Sequence, residues 1–515
     1  MGQIIWVLFA VNLAIYVNGG FGAKILAMAP HYYSHAAVVA SVGQELHRRG
    51  HTVIMALPSF IQLPPEIKLI VKYYPTKVVQ EDLAICTTNS IKTNDPLLAP
   101  CITKLFVTGS QAVSDNLTLL QEFRAERFDA ILCDPIFYAC QVVAEYADIP
   151  IQIDVSPLGI GEPFTSLHHI PSPPAYIPQY SLASKMNLIE RTANVIINLI
   201  LLPALNHLIF KPIYAVTNAS KLGLKTIPRY EVRRASFLIA NGDFAIDYPQ
   251  PLTPSSKLVG PILAKPAQSL PTDLERFITS NPKGAIVVSF GTVVTALKHI
   301  VDMQIFFYAF RRLPYNVIWK YDEELPDEVA SRNLKLVQWL PQNDLLGHPQ
   351  VKAFVTHCGY NGILEAGYHG VPMVGIPIAG DQIAHANKIT ARTIGVILNI
   401  RTLASDDLYN AVMKVTSDQD ILGNASKVSK IIKNRPNGRK PVEEAGDWVE
   451  YALNCNGGDY LRTEEYNLKW YEFYLLDVFA VMIAICYLIV KVLRLLWNGM
   501  VMLCSDNKKA KVKAS

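Results

Sequence analysis

The sequence predicts an α/β protein of two doubly wound domains facing a cleft, followed by one C-terminal transmembrane helix. Three observations predict it. Short apolar strands alternate with helical stretches through most of the chain, the signature of parallel sheets. A Pro- and Ser-rich stretch, "DYPQPLTPSSKLVGPILAKPAQSLPTD" (247–273), interrupts that alternation and reads as an interdomain linker. Near the end, "YLLDVFAVMIAICYLIVKVLRLLW" (474–497) is long enough to cross a bilayer. At 515 residues the chain exceeds one ordinary core. Half its residues are hydrophobic and 17% are charged, which is apolar for a soluble enzyme. The net charge of +4 is too small to imply nucleic-acid binding, and the basic excess gathers in the tail "DNKKAKVKAS".

Taken in order, residues 1–22 read as a signal peptide. "IIWVLFAVNLAIYV" (4–17) has the length of its apolar core, and the small residues of "NGGFGA" offer a cleavage site. A first domain follows at 23–250, with strands at "AKILAMA", "HTVIMAL" and "DAILCD". The linker proper is set at 251–273. A second domain spans 274–445, with strands at "GAIVVSF", "NVIWKY", "LKLVQWL", "KAFVTH" and "PMVGIPI". Connecting helices fill 446–473, the span covers 474–497, and a tail covers 498–515.

Asp477 sits at one end of the span, whereas Lys491 and Arg494 mark the other, followed by Lys508, Lys509, Lys511 and Lys513. Positive charge marks the cytoplasmic side, so the expected topology is type I, with the bulk in the lumen. The final "KVKAS" resembles a dilysine endoplasmic-reticulum retrieval signal, a receptor-read address rather than an anchor. In a lumen three sequons gain meaning, at Asn116, Asn218 and Asn424. Of eight cysteines, Cys486 lies in the span and Cys504 in the tail. The other six can pair in an oxidising compartment, and spacing does not fix the connectivity. No Cys/His zinc spacing occurs.

Open α/β sheets bind ligands beyond the carboxyl ends of their strands. Here that edge carries no GxGxxG, and the chain has no GxxxxGK[ST]. The nearest DxD, "DQD" (418–420), reads as a helix cap. Phosphate must therefore be held differently. In "FVTHCGYNGILEAGYHGVPMVGIPIAGDQ" (354–382) a strand breaks at His357 into a Gly-rich helix start. Backbone amides and the macrodipole make such a start a ready anion site. Upstream, Trp339 offers a flat face to a base and Gln342 an amide. Asp381 and Gln382 can serve several hydroxyls at once. Base, diphosphate and polyol together describe a nucleotide sugar.

The 44 residues from Trp339 to Gln382 have the length and order of the donor-binding box of UDP-glycosyltransferases. Trp339, Gln342, His357, Gly359, Asn361, Glu365, Asp381 and Gln382 fall in the pattern W..Q…H.G.N…E…DQ. The likeness extends to the signal peptide, "SHAAVVASVGQELHRRGHTV", "FDAILCDP", "SFGT", the span and the Lys-rich tail, so the chain resembles an animal UDP-glucuronosyltransferase. The resemblance implies a GT-B fold of two Rossmann-like domains, the first binding acceptor and the second binding UDP-sugar. It implies that Trp339 stacks on uracil, Gln342 lies near the nucleoside and Glu365 takes the ribose hydroxyls. His357 and the amides from Gly359 through Asn361 to Gly362 meet the diphosphate. Ser289, Gly291 and Thr292 form a second phosphate-side loop, and Asp381 and Gln382 reach the sugar. The UDP-sugar is a co-substrate; no cofactor and no metal are implied.

The base is expected from the first domain. A helix capped near Ser34 carries an apolar stripe at Val39, Val42 and Leu46 and ends at Arg48-Arg49-Gly50. His35 stands at its start. By the resemblance His35 removes the acceptor proton, Asp134 is its charge partner, and the sugar is transferred with inversion. His31, four residues earlier, is the rival base or a residue lining the acceptor pocket. Cys133 and Cys358 read as small core residues, Tyr360 as packing on its helix, and Asp344 and His348 as fixing a loop. Where many glucuronate-using relatives have an Arg, "FLIANGD" has Ala240-Asn241, and a neutral amide there suits an uncharged hexose. UDP-glucuronate stands first by resemblance, with neutral UDP-hexoses beside it. The acceptor is a small lipophilic hydroxyl compound, its pocket shaped by residues 60–125 and 160–235. A homo-oligomer is left open. A membrane protein that binds nucleotide sugars without turnover is the alternative, against which the chain keeps both His35 and Asp134.

Overall fold

Strand order decides where a ligand can sit in a parallel sheet, because crossovers diverge at one place only. The structure, a computed structural model, describes residues 22–78, 99–161, 164–179, 182–202, 222–224, 235–291, 300–321 and 331–513, with Asp82, Ile85, Cys86, Thr88 and Leu297. The expected signal segment up to residue 21, Asn218 and Thr292 lie outside the described residues.

The first sheet holds β1 (Lys24–Met28), β2 (Thr52–Pro58), β3 (Ile70–Tyr74), β4 (Ala130–Cys133), β5 (Ile151–Ser156), β6 (Ala235–Ala240) and β7 (Ser256–Leu258), all parallel. Its order is β3-β2-β1-β4-β5-β6-β7, so the winding reverses between β1 and β4. The second sheet holds β8 (Ala285–Ser289), β9 (Asn316–Lys320), β10 (Leu334–Val337), β11 (Val351–Thr356), β12 (Met373–Gly375) and β13 (Gly395–Ile397). Its order, β10-β9-β8-β11-β12-β13, reverses between β8 and β11.

Both sheets are covered on both faces, which is why their strands read as unbroken apolar runs. In β1, Ile25 and Ala27 enter one core with Val53 and Met55, while Leu26 and Met28 enter another with Ile54 and Ala56. In β8, Ile286 and Val288 face one core and Ala285 and Val287 the opposite one.

Helix α1 (Tyr33–Arg48) follows β1 and buries Val39, Val42 and Leu46 completely. The expected cap at Ser34 is not what starts it. Tyr32 holds the cap position without a side-chain hydrogen bond, and Ser34 falls inside the first turn rather than before it. Helices α2 (Ala99–Ser114) and α3 (Leu117–Glu126) lead to β4, and Asn116 caps α3 by accepting from the Leu119 amide at 3.1 Å. The segment expected as a pure linker is more than that. Residues 256–258 add β7 to the first sheet, since backbone running beside β6 can complete a ladder that would otherwise stay open.

In the second domain α4 (Gln342–Leu346) precedes β11, α5 (Tyr360–His369) follows it, and α6 (Asp381–Ala391) follows β12. Asp418 caps α7 (Gln419–Lys433) through its side chain, as expected of "DQD". The sequon at Asn424 lies within α7, beside buried Ala425. Helix α8 (Pro441–Asn454) then returns to the first domain and packs on α1. Arg49 fastens it. Its guanidinium pairs with Glu45 at 2.8 Å, Asp447 at 2.9 Å and Glu450 at 2.7 Å, and donates to the Glu443 carbonyl at 2.6 Å. Of the six cysteines expected to be able to pair, Cys86 is disulfide-bonded, whereas Cys133, Cys140, Cys358 and Cys455 are free.

This body ends at Leu461, and residues from Arg462 form a second unit. That unit contains α9 (Leu476–Lys513), in which Leu476–Val501, 26 residues, is long and apolar enough to cross a membrane.

Replacing Arg49 removes the partner that three carboxylates share, leaving Glu45 with Arg48, Asp447 with Arg439 and Glu450 with His51. Arg49→Met should lower the stability of the body by about 1–2 kcal/mol, visible as a reduced thermal midpoint. An unchanged midpoint would mean that α8 is held by its apolar contacts alone.

Candidate active site

The two winding reversals place polar residues at the carboxyl edge of each sheet. Beyond β1 the chain runs through His31 and Tyr32 into the first turn of α1, which carries His35. Beyond β4 comes Asp134, whose amide donates to the Met28 carbonyl at 3.1 Å and so stands beside the end of β1. His35 Nδ1 lies 2.6 Å from Asp134 Oδ2, across 99 residues of sequence. The carboxylate is fully buried, its other oxygen accepting from the Ile136 amide at 3.1 Å. An imidazole tied at Nδ1 leaves Nε2 for chemistry.

His31 differs. Both its ring nitrogens are buried without a hydrogen-bond partner. Burial and the neighbouring His35 push its pKa down to about 4, against a smaller pull from Asp82. An imidazole so weakly basic and without a carboxylate at hydrogen-bond distance is a poor proton acceptor, so of the two histidines the geometry equips His35.

In the second domain, β8 ends at Ser289 and turns through Gly291, while β11 ends at Thr356 and delivers His357. Gly291 has φ +61°, and a β-carbon there would stand 2.9 Å from His357 Cε1. One at Gly359 would stand 2.5 Å from His357 Nε2. Two glycines thus seat the ring, and a side chain at either would displace it. Burial pushes the His357 pKa down to about 4, and its Nδ1 has no hydrogen-bond partner. Gly359 starts α5 without a side-chain cap, leaving the first-turn amides for a ligand.

Trp339 is 64% exposed, unusual for an indole, with Tyr33 of α1 edge-on at 5.9 Å and Lys320 Nζ 5.6 Å from its ring. Gln342 Nε2 donates to Glu365 Oε2 at 2.5 Å. Asp381 is 45% exposed in the cleft, though protein charge surrounds it. Desolvation would raise its pKa, but His385, His35 and His357 together hold it below the ordinary carboxylate value.

Three side chains of the expected site are engaged within the protein, those of Gln382 and Asn241 where a sugar contact was expected, and that of Asn361, expected at the diphosphate through its backbone amide. Gln382 Oε1 accepts from the amides of Ile378 and Ala379, at 2.8 and 3.1 Å, so it shapes its own loop. Asn361 Nδ2 donates to the Ser34 carbonyl at 3.2 Å, and its Oδ1 accepts from Asn241 at 2.9 Å. Asn241, expected to face the sugar, is fully buried and also accepts from the Ile262 amide at 2.8 Å. Asp344 accepts from the Gln268 amide and His348 from the Gln350 amide, so both fix loops. Cys133 and Cys358 are buried core residues.

Two residues escaped the sequence reading. Lys320, at the end of β9, donates to the Gly291 carbonyl at 3.3 Å and brings a positive charge to the phosphate-side loop. His385, one helical turn after Asp381, places Nε2 3.2 Å from Asp381 Oδ2. It stacks on Tyr360 at 4.3 Å, and Tyr360 donates its hydroxyl to Asp247, which pairs with Lys388 at 2.6 Å. Position alone offered a signal for each: a lysine at a strand's carboxyl end, and a histidine at i+4 from a site carboxylate.

Two facing doubly wound domains, with an uncapped helix start and an exposed indole on one side and a His–Asp pair on the other, define a sugar-nucleotide-dependent glycosyltransferase of the GT-B class. Solved structures share this fold. Os79 from O. sativa superposes with a TM-score of 0.58 at 16% identity, covering 84% of this chain and 99% of that one. SnogD, a glycosyltransferase from Streptomyces nogalater, gives 0.57 at 16% identity over the same shares. The family model described as UDP-glucoronosyl and UDP-glucosyl transferase matches residues 23–510, and the chain belongs to that family. UDP-glucuronosyltransferase 1-2 of Mus musculus is 32% identical over 486 residues, 91% of this chain and 90% of the relative. UDP-glucuronosyltransferase 2A3 of Homo sapiens is 30% identical over 489 residues, 91% of each.

Glu365 gives the site a pH signature. Burial lifts its carboxyl from 4.5 to about 7, outweighing the hydrogen bond from Gln342, while Asp344 adds to the rise. Between those values the folded protein holds a proton that the unfolded chain has released, so stability falls as pH rises through the window. Glu365→Gln should remove on the order of 3 kcal/mol of that loss, flattening the difference in thermal midpoint between pH 5 and pH 8. An undiminished difference would assign the effect elsewhere.

Proposed function

We propose that this UDP-glycosyltransferase moves a glycosyl group, with inversion, from a UDP-sugar to a hydroxyl of a small lipophilic acceptor. The observation that carries the reading is the His35–Asp134 pair, held beside the donor helix because Asn361 of α5 grips the carbonyl of Ser34. His35 Nε2 takes the acceptor proton while the acceptor oxygen forms its bond to the anomeric carbon. The bond from that carbon to the diphosphate oxygen breaks on the opposite face, and its electron pair leaves with UDP. Asp134 keeps Nδ1–H in place and stabilises the imidazolium. The charge gathering on UDP meets the first-turn amides of α5, the N–H of neutral His357 and the Lys320 ammonium, so the scheme needs no metal. Trp339 stacks on uracil, Glu365 takes ribose hydroxyls and Asp381 takes sugar hydroxyls. Ser289 and Gly291 line the phosphate side.

For the donor, the names of the relatives favour UDP-glucuronate. A specific observation favours a second reading, a neutral UDP-hexose. Ala240 is fully buried, and Asn241 spends its amide inside the protein, so this segment supplies no charge for a sugar carboxylate. Parallel assays with UDP-glucuronate and UDP-glucose on one phenol decide between them. We further propose that α9 anchors the enzyme in the endoplasmic reticulum membrane with its catalytic body in the lumen, on the charge pattern that follows the span.

His35→Ala should cost roughly 10²–10⁴ in kcat with UDP affinity nearly unchanged, and Asp134→Asn should also be severe. An acidic phenol, which ionises readily, should lose much less than an aliphatic alcohol. Equal losses on both acceptors would make His35 a positioning residue. At the donor site, Asp381→Ala should raise KM for the UDP-sugar without weakening UDP, whereas Trp339→Ala should weaken UDP itself. UDP affinity falling alike in both would refute the division between sugar and base.

A further inference from the structure

The proposed acceptor side contains one polar group that the mechanism does not use. The His31 imidazole is 8% exposed, and neither ring nitrogen has a hydrogen-bond partner. A neutral imidazole holds one donor and one acceptor, and leaving both unmade in a buried place is costly, so a native structure keeps such a ring for a ligand or a water. Among the described residues, Asp82 reaches it by charge without a hydrogen bond to either nitrogen. Tyr32 presents its ring 4.5 Å away, Phe106 of α2 lies at 6.1 Å, and a β-carbon at Gly109 would stand 2.8 Å from Nδ1. Aromatic faces and a bare glycine make a snug slot and satisfy no polar atom.

The slot adjoins the chemistry. Tyr32 lies between the two histidines, its ring 4.5 Å from that of His31 and 5.4 Å from that of His35. Phe106 borders Tyr32 as well, at 6.0 Å. Tyr32 also feels the charge of Asp381, which raises its hydroxyl pKa after burial has done most of the work. An acceptor whose hydroxyl meets His35 thus extends over Tyr32 and Phe106 towards His31, since both imidazoles border the same tyrosine ring.

We propose that His31 is a specificity-determining residue that hydrogen-bonds a second polar atom of the acceptor, one aromatic ring away from the hydroxyl that is glycosylated. The favoured class is the para-substituted phenol whose far group is an oxygen acceptor, over the phenol of the same size and shape with an alkyl group there. His31 donates one N–H to that oxygen, and Tyr32 and Phe106 cover the ring between. This rests on the reading of His35 as the base of the glycosyl transfer.

The test uses the full-length enzyme in microsomes with its preferred UDP-sugar and a matched pair, 4-(methoxymethyl)phenol and 4-propylphenol. The two have similar size and one hydroxyl each and differ by an ether oxygen in place of a methylene. Wild type should favour the ether in kcat/KM by about tenfold, the usual worth of a well-made buried hydrogen bond. His31→Phe should bring that ratio close to one, and His31→Gln, which keeps a donor, should restore part of it. A wild-type ratio near one overturns the proposal even if the variants fail to fold, and so does a ratio that survives in His31→Phe. Failure of both phenols to be glycosylated by any UDP-sugar would instead sink the transferase reading beneath it.

Discussion

One side-chain amide fixes the relation between the two halves of this enzyme. Asn361, second residue of α5, donates to the Ser34 carbonyl and accepts from Asn241, so it touches the first domain at both ends. Ser34 immediately precedes the proposed base, and α5 is the helix whose start is free to take phosphate. Clamping these two points together sets the distance from acceptor hydroxyl to departing diphosphate. An in-line displacement tolerates little error in that distance. The winding of each sheet brings its polar residues to one edge, and Asn361 makes the two edges one site.

Four histidines of the cleft show how far environment separates chemically identical groups. His35 has a carboxylate at 2.6 Å, and so can hold a proton during the proposed reaction. His357 and His31 are pushed down to about 4, chiefly by burial, which leaves each a neutral donor–acceptor at the pH of a cell compartment. His385 is also lowered, by burial and by Lys388, and faces Asp381 at 3.2 Å. Spacing in the chain distinguishes none of these roles; the nearest charge and the loss of water do.

The same contrast separates what a local pattern places from what it does not. The edge positions of Trp339, His357 and Asp381 follow from strand–helix alternation and from the motif order, both local properties. The relation of His35 to Asp134 spans 99 residues, and it was reached through resemblance to a family rather than through spacing. What stayed hidden is the spending of hydrogen-bond capacity. Gln382 and Asn241 have the right chemistry for a sugar, but the fold engages much of each. Residues 256–258 look like linker by composition, and only the open ladder of β6 turns them into a strand. The apolar segments assigned to the acceptor pocket carried no sign that His31 would be left with its polar atoms unmatched.

The network behind the donor side fits the same pattern. Tyr360 opens α5, stacks on His385 and donates to Asp247, while Lys388 of α6 pairs with the other Asp247 oxygen. Asp247 lies on the connection between β6 and β7 of the first sheet, so one carboxylate of the first domain receives α5 and α6 together. Buried ion pairs add little net stability, because desolvation cancels much of their attraction, but losing one partner is severe. Their usefulness here is geometric. Tyr360 cannot move without disturbing His385, and His385 borders the carboxylate assigned to the sugar. The start of α5 and the carboxylate proposed to bind the sugar are therefore set by one cluster.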